Sequence, residues 1–290
     1  MNRLSLAIIT PSYAPDFELC VELNSSVLRN TDHDVEHHIV VARRDLARFS
    51  PLANARTTIH DVREFLPPSM LSVPGVNMWV NPKRPFPPVR GWIAQQMVKL
   101  SAAASLKTEV ALLIDSDVVM LRPFDAALFA PGAELPLFRV ADGVDASLPG
   151  HRVWHSVARR LLGLPVVEAL PLPDYVCCPC AWEPGIVRRM LNRVEKTTGL
   201  PWHIAIGREL HFSEMTLYGV FVDELCGTVA HTSDMHCVNH YEETPLDTQG
   251  YLKLLGTARP TDAAVMVSAK SGTPLHVRRQ ALERFGIQAG

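Results

Sequence analysis

The chain has 290 residues, with 28 basic and 30 acidic side chains and a formal net charge of −2. At 47% hydrophobic and 20% charged residues, it has the make-up of a folded globular protein. A disordered chain could not bury enough apolar surface to offset the entropy of ordering. The near-neutral balance argues against a nucleic-acid binder, because neutralising phosphates needs a surplus of Lys and Arg. Prolines outnumber glycines, 23 to 16, which predicts stiff, shaped loops between the elements.

No apolar run reaches the roughly 18 residues of a spanning helix. The N-terminal run Leu4-Ser5-Leu6-Ala7-Ile8-Ile9-Thr10-Pro11 lacks a small-residue cleavage site and fits a buried strand better than a signal peptide. A cytoplasmic protein without a transmembrane segment is expected, with peripheral membrane contact left open. Cys177, Cys178 and Cys180 crowd into Cys-Cys-Pro-Cys, but no second pair stands at zinc-finger spacing, so free thiols are expected.

In chain order, Leu4–Thr10 reads as a buried strand, Asp16–Leu28 as a helix closing near Asn30, and Val35–Ala42 as a second strand. Arg43–Phe49 reads as a short helix and Thr57–His60 as a third strand. The stretch Asn81-Pro-Lys-Arg-Pro-Phe-Pro-Pro-Val-Arg90 reads as a proline-stiffened basic loop, with Lys83, Arg84 and Arg90 as contacts for an anion. A long helix is predicted over 91–106, with Ile93, Met97, Leu100 and Ala104 on one face. The apolar strand Glu109–Ile114 then stops abruptly at Asp115-Ser116-Asp117. Repeated β-α-β with apolar strands predicts an α/β fold: a mostly parallel central sheet with helices on both faces.

Beyond Asp117 the alternation fades. Helices are predicted at 151–162, 184–198, 213–225 and 274–285, and no linker separates them from the first half. One domain over 1–290 is expected, with a regular first half at 1–122 and an elaborated second half at 123–290. Neither Gly-x-Gly-x-x-Gly nor a P-loop occurs.

In parallel sheets ligands gather at the carboxyl ends of the strands. Two carboxylates one residue apart at such an end repel, and one pKa must rise unless a cation lies between them. A hard ion, Mg²⁺ or Mn²⁺, bridging Asp115 and Asp117 to phosphate oxygens is the natural solution. A polar strand-end turn also uses Asp and Ser, but it does not need six apolar residues leading into two acids.

With Ile8-Ile9-Thr10-Pro11-Ser12-Tyr13 ending the first strand and Val110-Ala-Leu-Leu-Ile-Asp-Ser-Asp117 about a hundred residues on, the chain resembles a GT-A nucleotide-sugar glycosyltransferase (Rossmann-like) with an Asp-x-Asp motif. It is similar to a poorly characterised bacterial glycosyltransferase-like group. That group shares a helix with Trp92, Gln95, Gln96, Lys99 and Leu100, and a later stretch with Phe212, Ser213, Glu214, Tyr218 and Gly219. The resemblance spans roughly residues 4–225.

It implies a UDP- or GDP-linked sugar donor and a glycan or small-molecule acceptor. Thr10, Pro11 and Tyr13 would line the nucleotide pocket, Tyr13 stacking on the base, together with Gln96, Lys99 and Ser116. Asp115 and Asp117 would face ribose and metal. Lys99 would approach a phosphate or a sugar carboxylate, although a solvated helix face explains it equally. Glu214, in the first turn of a helix capped by Ser213, would be the general base of an inverting enzyme, or an acceptor ligand in a retaining one.

Of His231, His236 and His240, the resemblance implies one further metal ligand. His236 and His240 share a face of an extended strand and are preferred. Lys270-Ser271-Gly272 would close on the diphosphate. Two rivals remain: a haloacid-dehalogenase-like phosphatase with Asp115 as nucleophile, whose later acid pair is poorly matched by Asp142 and Asp145, and a non-catalytic sugar-binding protein on a transferase fold.

Overall fold

The computed structural model describes residues 4–73, 76, 78–81, 84–132 and 134–287. β1 (Leu6–Pro11) leads through a tight turn into α1 (Phe17–Asn30), and β2 (Glu36–Val41) into a short α2 (Leu46–Phe49). β3 (Thr57–Asp61) is followed by β4 (Leu71–Ser72), β5 (Met78–Asn81) and β6 (Arg84–Arg90), then by α3 (Gly91–Ser105) and β7 (Val110–Leu113).

Next come β8 (Val118–Met120), α4 (Ala126–Phe129), β9 (Leu137–Phe138), β10 (Val140–Val144), α5 (Pro149–Leu162), β11 (Leu172–Asp174) and β12 (Cys180–Trp182). Three helices follow: α6 (Pro184–Thr198), α7 (Trp202–Gly207) and α8 (Glu214–Leu225). The described chain closes with β13 (His231–Thr232), β14 (Cys237–His240), α9 (Thr248–Leu255), β15 (Ala264–Val267) and α10 (Leu275–Arg284).

The central sheet runs β12-β7-β1-β2-β3. β7, β1, β2 and β3 are parallel, as the β-α-β pattern predicts, whereas β12 pairs antiparallel to β7. The fold is therefore α/β with a mixed central sheet. Its inner strands β1 and β7 are buried throughout because both faces are covered, and the two-residue period deals successive side chains to opposite sides. Ile9, Ala111 and Leu113 join the core beneath α3, and Leu6, Ile8, Val110 and Leu112 join Leu23 and Val27 of α1. The stripe foreseen on α3 is real: Ile93, Met97 and Leu100 are fully buried.

A second sheet, β14-β15-β8, packs into the same core as α1. β7 belongs to the first sheet and β8 to the second, so Asp115-Ser116-Asp117 lies where the chain crosses between them. That crossing explains the abrupt change from apolar to acidic residues better than a strand simply ending.

The proline-rich stretch before α3 differs from expectation. Residues 84–90 form strand β6, paired antiparallel with β5, in place of a loop. Proline supplies extended φ angles and is tolerated in a short sheet where a missing N–H donor is not needed. Lys83 lies outside the described residues, as does the side chain of Arg84. Helices α7 and α9 were not foreseen; their short lengths leave too few turns for a clear apolar period.

Candidate functional site

The site is built around the end of β7, where β1 also ends beside it. The Ser116 hydroxyl donates to the Ser12 hydroxyl at 2.8 Å, tying the two strand ends together. Asp115 projects outward, its side chain 42% exposed. The buried Cys178 thiol lies against its backbone, and its pKa is pushed well up by burial and by the Asp115 carboxylate.

Lys99 of α3 sits beneath Asp115. Its Nζ lies 3.0 Å from Asp115 Oδ1 and 3.4 Å from Glu214 Oε1, and its side chain is only 8% exposed. The ammonium is thus committed to two protein carboxylates, not to a solvated helix face. Burial alone would lower the Lys99 pKa, but the Asp115 and Glu214 charges outweigh it and hold it raised. Burial pushes the Glu214 pKa up, and the neighbouring Lys99 offsets only part of that rise. Gln96, one turn before Lys99 and buried, accepts a hydrogen bond through Oε1 from the Glu214 backbone N–H at 2.9 Å; its buried Nε2 has no partner.

The Phe212-to-Gly219 stretch works as a mount for Glu214. Phe212 is fully buried, and the Ser213 hydroxyl accepts from the Thr216 N–H at 3.2 Å, capping α8 as expected. Tyr218 stacks on Trp182 with ring centroids 5.0 Å apart and accepts the Glu183 N–H through its hydroxyl at 3.1 Å. Gly219 lies against the Tyr175 ring so closely that a Cβ would come within 2.1 Å of it. The Tyr175 hydroxyl in turn donates to Asp223 at 2.8 Å, and Arg139 donates to the same carboxylate oxygen at 2.8 Å. Packing on Trp182 and Tyr175 therefore fixes where the first turn of α8, and with it Glu214, points.

Asp117 lies on the other side of the strand end. Its Oδ2 accepts the Ala269 N–H at 2.8 Å, which binds it to the turn Ala269–Ser271 after β15. Arg278 of α10, 4% exposed, braces that turn by donating to the carbonyls of Val267, Ser268 and Thr273. Burial, then repulsion from Asp115, raises the Asp117 pKa to about 6, despite the opposing Ala269 N–H and Arg278. Asp16 also faces this region: burial raises its pKa, Arg278 draws it down and Asp115 pushes it up.

Several expected pocket residues sit elsewhere. Thr10 is fully buried, and its hydroxyl meets His37 Nε2 at 2.9 Å. His37 Nδ1 meets Asn24 Oδ1 at 2.9 Å. Since that oxygen can only accept, Nδ1 carries the proton and Nε2 accepts from Thr10. Burial lowers the His37 pKa to about 3, so the ring stays neutral inside the core. Thr10 therefore sits in the core, with its hydroxyl committed to His37. Pro11 ends β1 within the buried run, whereas Tyr13 is 50% exposed at the mouth.

The two preferred histidines separate. His240 pairs in register with Val267, on the level of Asp117. It is engaged with Glu242 Oε2 at 2.5 Å and the Thr244 carbonyl at 3.0 Å. His236 precedes the far end of β14, four residues or about 13 Å away along the strand. It meets the Thr261 carbonyl and packs on Phe129.

Among the described residues no group of three or more His, Cys, Asp and Glu side chains is arranged to hold a metal ion. Two hard carboxylates remain, and the pKa of Asp117, raised in part by Asp115, marks the repulsion a cation would relieve. This pair suits Mg²⁺ or Mn²⁺, which commonly take one or two carboxylates and fill the remaining positions with phosphate and water.

Sequence reasoning missed Ser12, Asp16 and Arg278. Ser12 stands inside the quoted strand-end motif and Asp16 at the start of the helix after it, but Arg278 stands in a charged helix with nothing to mark it.

Among the described residues no helix is long and apolar enough to cross a membrane. No curated protein matches the chain. Residues 4–252 match a family of unknown function (DUF6492), and the chain belongs to that family.

Proposed function

We propose that the protein is a glycosyltransferase on a GT-A-like fold, moving a sugar from a nucleotide-linked donor to a hydroxyl of a glycan or small-molecule acceptor. One observation carries this reading. Asp115, one of two carboxylates at the carboxyl end of a parallel strand, shares a single ammonium with a third carboxylate, Glu214, mounted at a helix start. That arrangement offers a site for a charged leaving group beside a group able to take a proton, which is what sugar transfer to a hydroxyl requires.

Tyr13, exposed at the end of β1, stacks on the nucleotide base. Asp115 and Asp117 are the residues that would hold Mn²⁺ or Mg²⁺, and a divalent cation there would neutralise the charge of the diphosphate leaving group. Lys270, exposed on the turn that binds Asp117, supplies a further positive charge to the phosphates. Lys99 holds Asp115 and Glu214 apart as anions, and the Glu214 carboxylate takes the acceptor hydroxyl proton as the new C–O bond forms. Because Glu214 is only 5% exposed, the acceptor reaches it past the open side of Asp115.

UDP or GDP together with Mn²⁺ should raise the melting temperature beyond either alone, because ligands that bind only the native state stabilise it. Asp115→Asn should abolish the joint effect. No shift with any nucleotide overturns the transferase reading. Hydrolysis of p-nitrophenyl phosphate that disappears in Asp115→Asn would move the assignment to a phosphatase.

A further inference from the structure

α3 presents one line of residues to this site. Trp92, Gln96 and Lys99 stand at i, i+4 and i+7 and so share a face. Gln96 and Lys99 are buried against Glu214, while Trp92, about 10 Å nearer the helix start, is 44% exposed. α3 leads into β7, which parallels β1, so the start of the helix lies at the carboxyl edge of the sheet, the edge that carries Asp115. The Arg90 guanidinium, just before α3, donates to the Leu210 carbonyl at 3.5 Å, which ties the start of α3 to the segment that precedes Glu214.

The exposed indole does not stand alone. Trp154 of α5 lies against it, with ring centroids 5.7 Å apart and tilted 43°. His151 stacks on Trp154 at 4.4 Å and is held by Asp174 at 3.3 Å. Trp154 is thus pinned by His151 and Asp174, and Trp92 is propped by Trp154. The result is one supported aromatic ring open to solvent. Exposed Gln95 stands one turn along α3, and exposed Arg152 stands beside His151 on α5.

We propose that Trp92, backed by Trp154 and His151, is a stacking subsite for one pyranose ring of a carbohydrate. An aromatic face with polar groups at its rim matches a pyranose, which has an apolar C–H face and hydroxyls around its edge. One aromatic side chain offers about 150–250 Å² at most, far short of the roughly 800 Å² that each side of a stable protein interface buries. Describing this carbohydrate as the acceptor rests on the transferase reading; ring stacking does not. In that role Trp92 binds a sugar unit beyond the one whose hydroxyl meets Glu214.

The test uses the full chain labelled with ¹⁵N, titrated with cellohexaose, maltohexaose and chitohexaose. The Trp92 indole N–H signal is assigned by its loss in Trp92→Tyr. At least one oligosaccharide should shift that signal saturably. Trp92→Ala should weaken binding about tenfold or more, and Trp92→Tyr should keep most of it. Thermal stabilisation of Trp92→Ala by nucleotide and Mn²⁺ should match that of the parent chain, which checks that the variant is folded.

The proposal is overturned if no oligosaccharide moves the Trp92 signal, or if Trp92→Ala binds as the parent does. It is also overturned if Trp92→Ala instead dissolves a self-association seen by size exclusion. If an oligosaccharide moves the signal but no nucleotide stabilises the chain, the stacking subsite stands and its role as an acceptor site falls.

Discussion

Asp115 and Asp117 are two residues apart, yet the protein answers their charges in opposite ways. On the α3 side Asp115 faces a buried ammonium at 3.0 Å, shared with Glu214. On the α10 side Asp117 meets a backbone N–H, and the nearest guanidinium, Arg278, spends its hydrogen bonds on carbonyl groups of the supporting turn. One carboxylate is paired with a fixed cation, and the other has its pKa raised to about 6. A carboxylate with a built-in partner is a positioned part of the fold, whereas one left short of positive charge is prepared to receive it. Asp115 is therefore anchored by the fold, while Asp117 has the weaker compensation.

The sharpest way to break this contrast is to remove the fixed cation. Lys99→Met should leave Asp115 and the buried Glu214 facing each other without compensation, a loss of about 3–5 kcal/mol measurable by urea unfolding. Adding Glu214→Gln should return part of that loss, because the second buried charge disappears. Stability equal to the parent chain in the single variant would falsify the fixed-cation account.

Asp117→Asn tests the other side and should have the opposite sign. The folded pKa of Asp117, about 6, lies above the ordinary carboxylate value. The native state therefore binds this proton more tightly than the unfolded chain does. The associated stability is complete below about pH 4 and is lost as the pH rises through about 6. Asparagine keeps an acceptor for the Ala269 N–H but never ionises. The variant should be more stable than the parent at pH 7 by about 1–2 kcal/mol after solvent screening, with a flatter stability profile from pH 4 to 7. It should also lose the joint stabilisation by nucleotide and Mn²⁺. Equal profiles in urea unfolding across that range would remove the contrast.

The smallest effect concerns the mount of Glu214. Ser213→Ala removes the cap of α8 and should cost about 1 kcal/mol. Because Phe212, Tyr218 and Gly219 still hold the helix, nucleotide-dependent stabilisation should survive. Its loss would show that the cap, and not the packing, places Glu214.

Much of the first half was legible because its signals are local. The two inner strands, β1 and β7, are buried along their whole length and mostly apolar, and α3 carries Ile93, Met97 and Leu100 on one buried face. The boundary at Asp115 stands out because buried strands rarely run into adjacent acids without cause. Ser213 and Glu214 were legible as a helix start for the same reason: caps are written in neighbouring residues. Misreadings arose where composition stood in for pairing. Prolines in residues 84–90 suggested a loop, yet β5 supplies a partner strand. The resemblance placed Thr10 in a pocket, but the side chain is fully buried and its hydroxyl is taken by His37, which Asn24 holds from the other side.

What the residues determined by themselves is the alternation of apolar strands and amphipathic helices, the acidic strand end, the capped helix carrying Glu214 and a composition that predicts folding. Those properties depend on side-chain type and on spacings of a few residues. Only the tertiary structure decided that Lys99 lies between Asp115 and Glu214, that Arg278 braces the turn binding Asp117, that His240 stands level with Asp117 while His236 does not, and that Trp92 leans on Trp154. Each joins segments far apart in the chain, and burial sets the outcome. Removed from water, a charge or polar group must find its partner wherever packing has brought one, and a local spacing cannot record which.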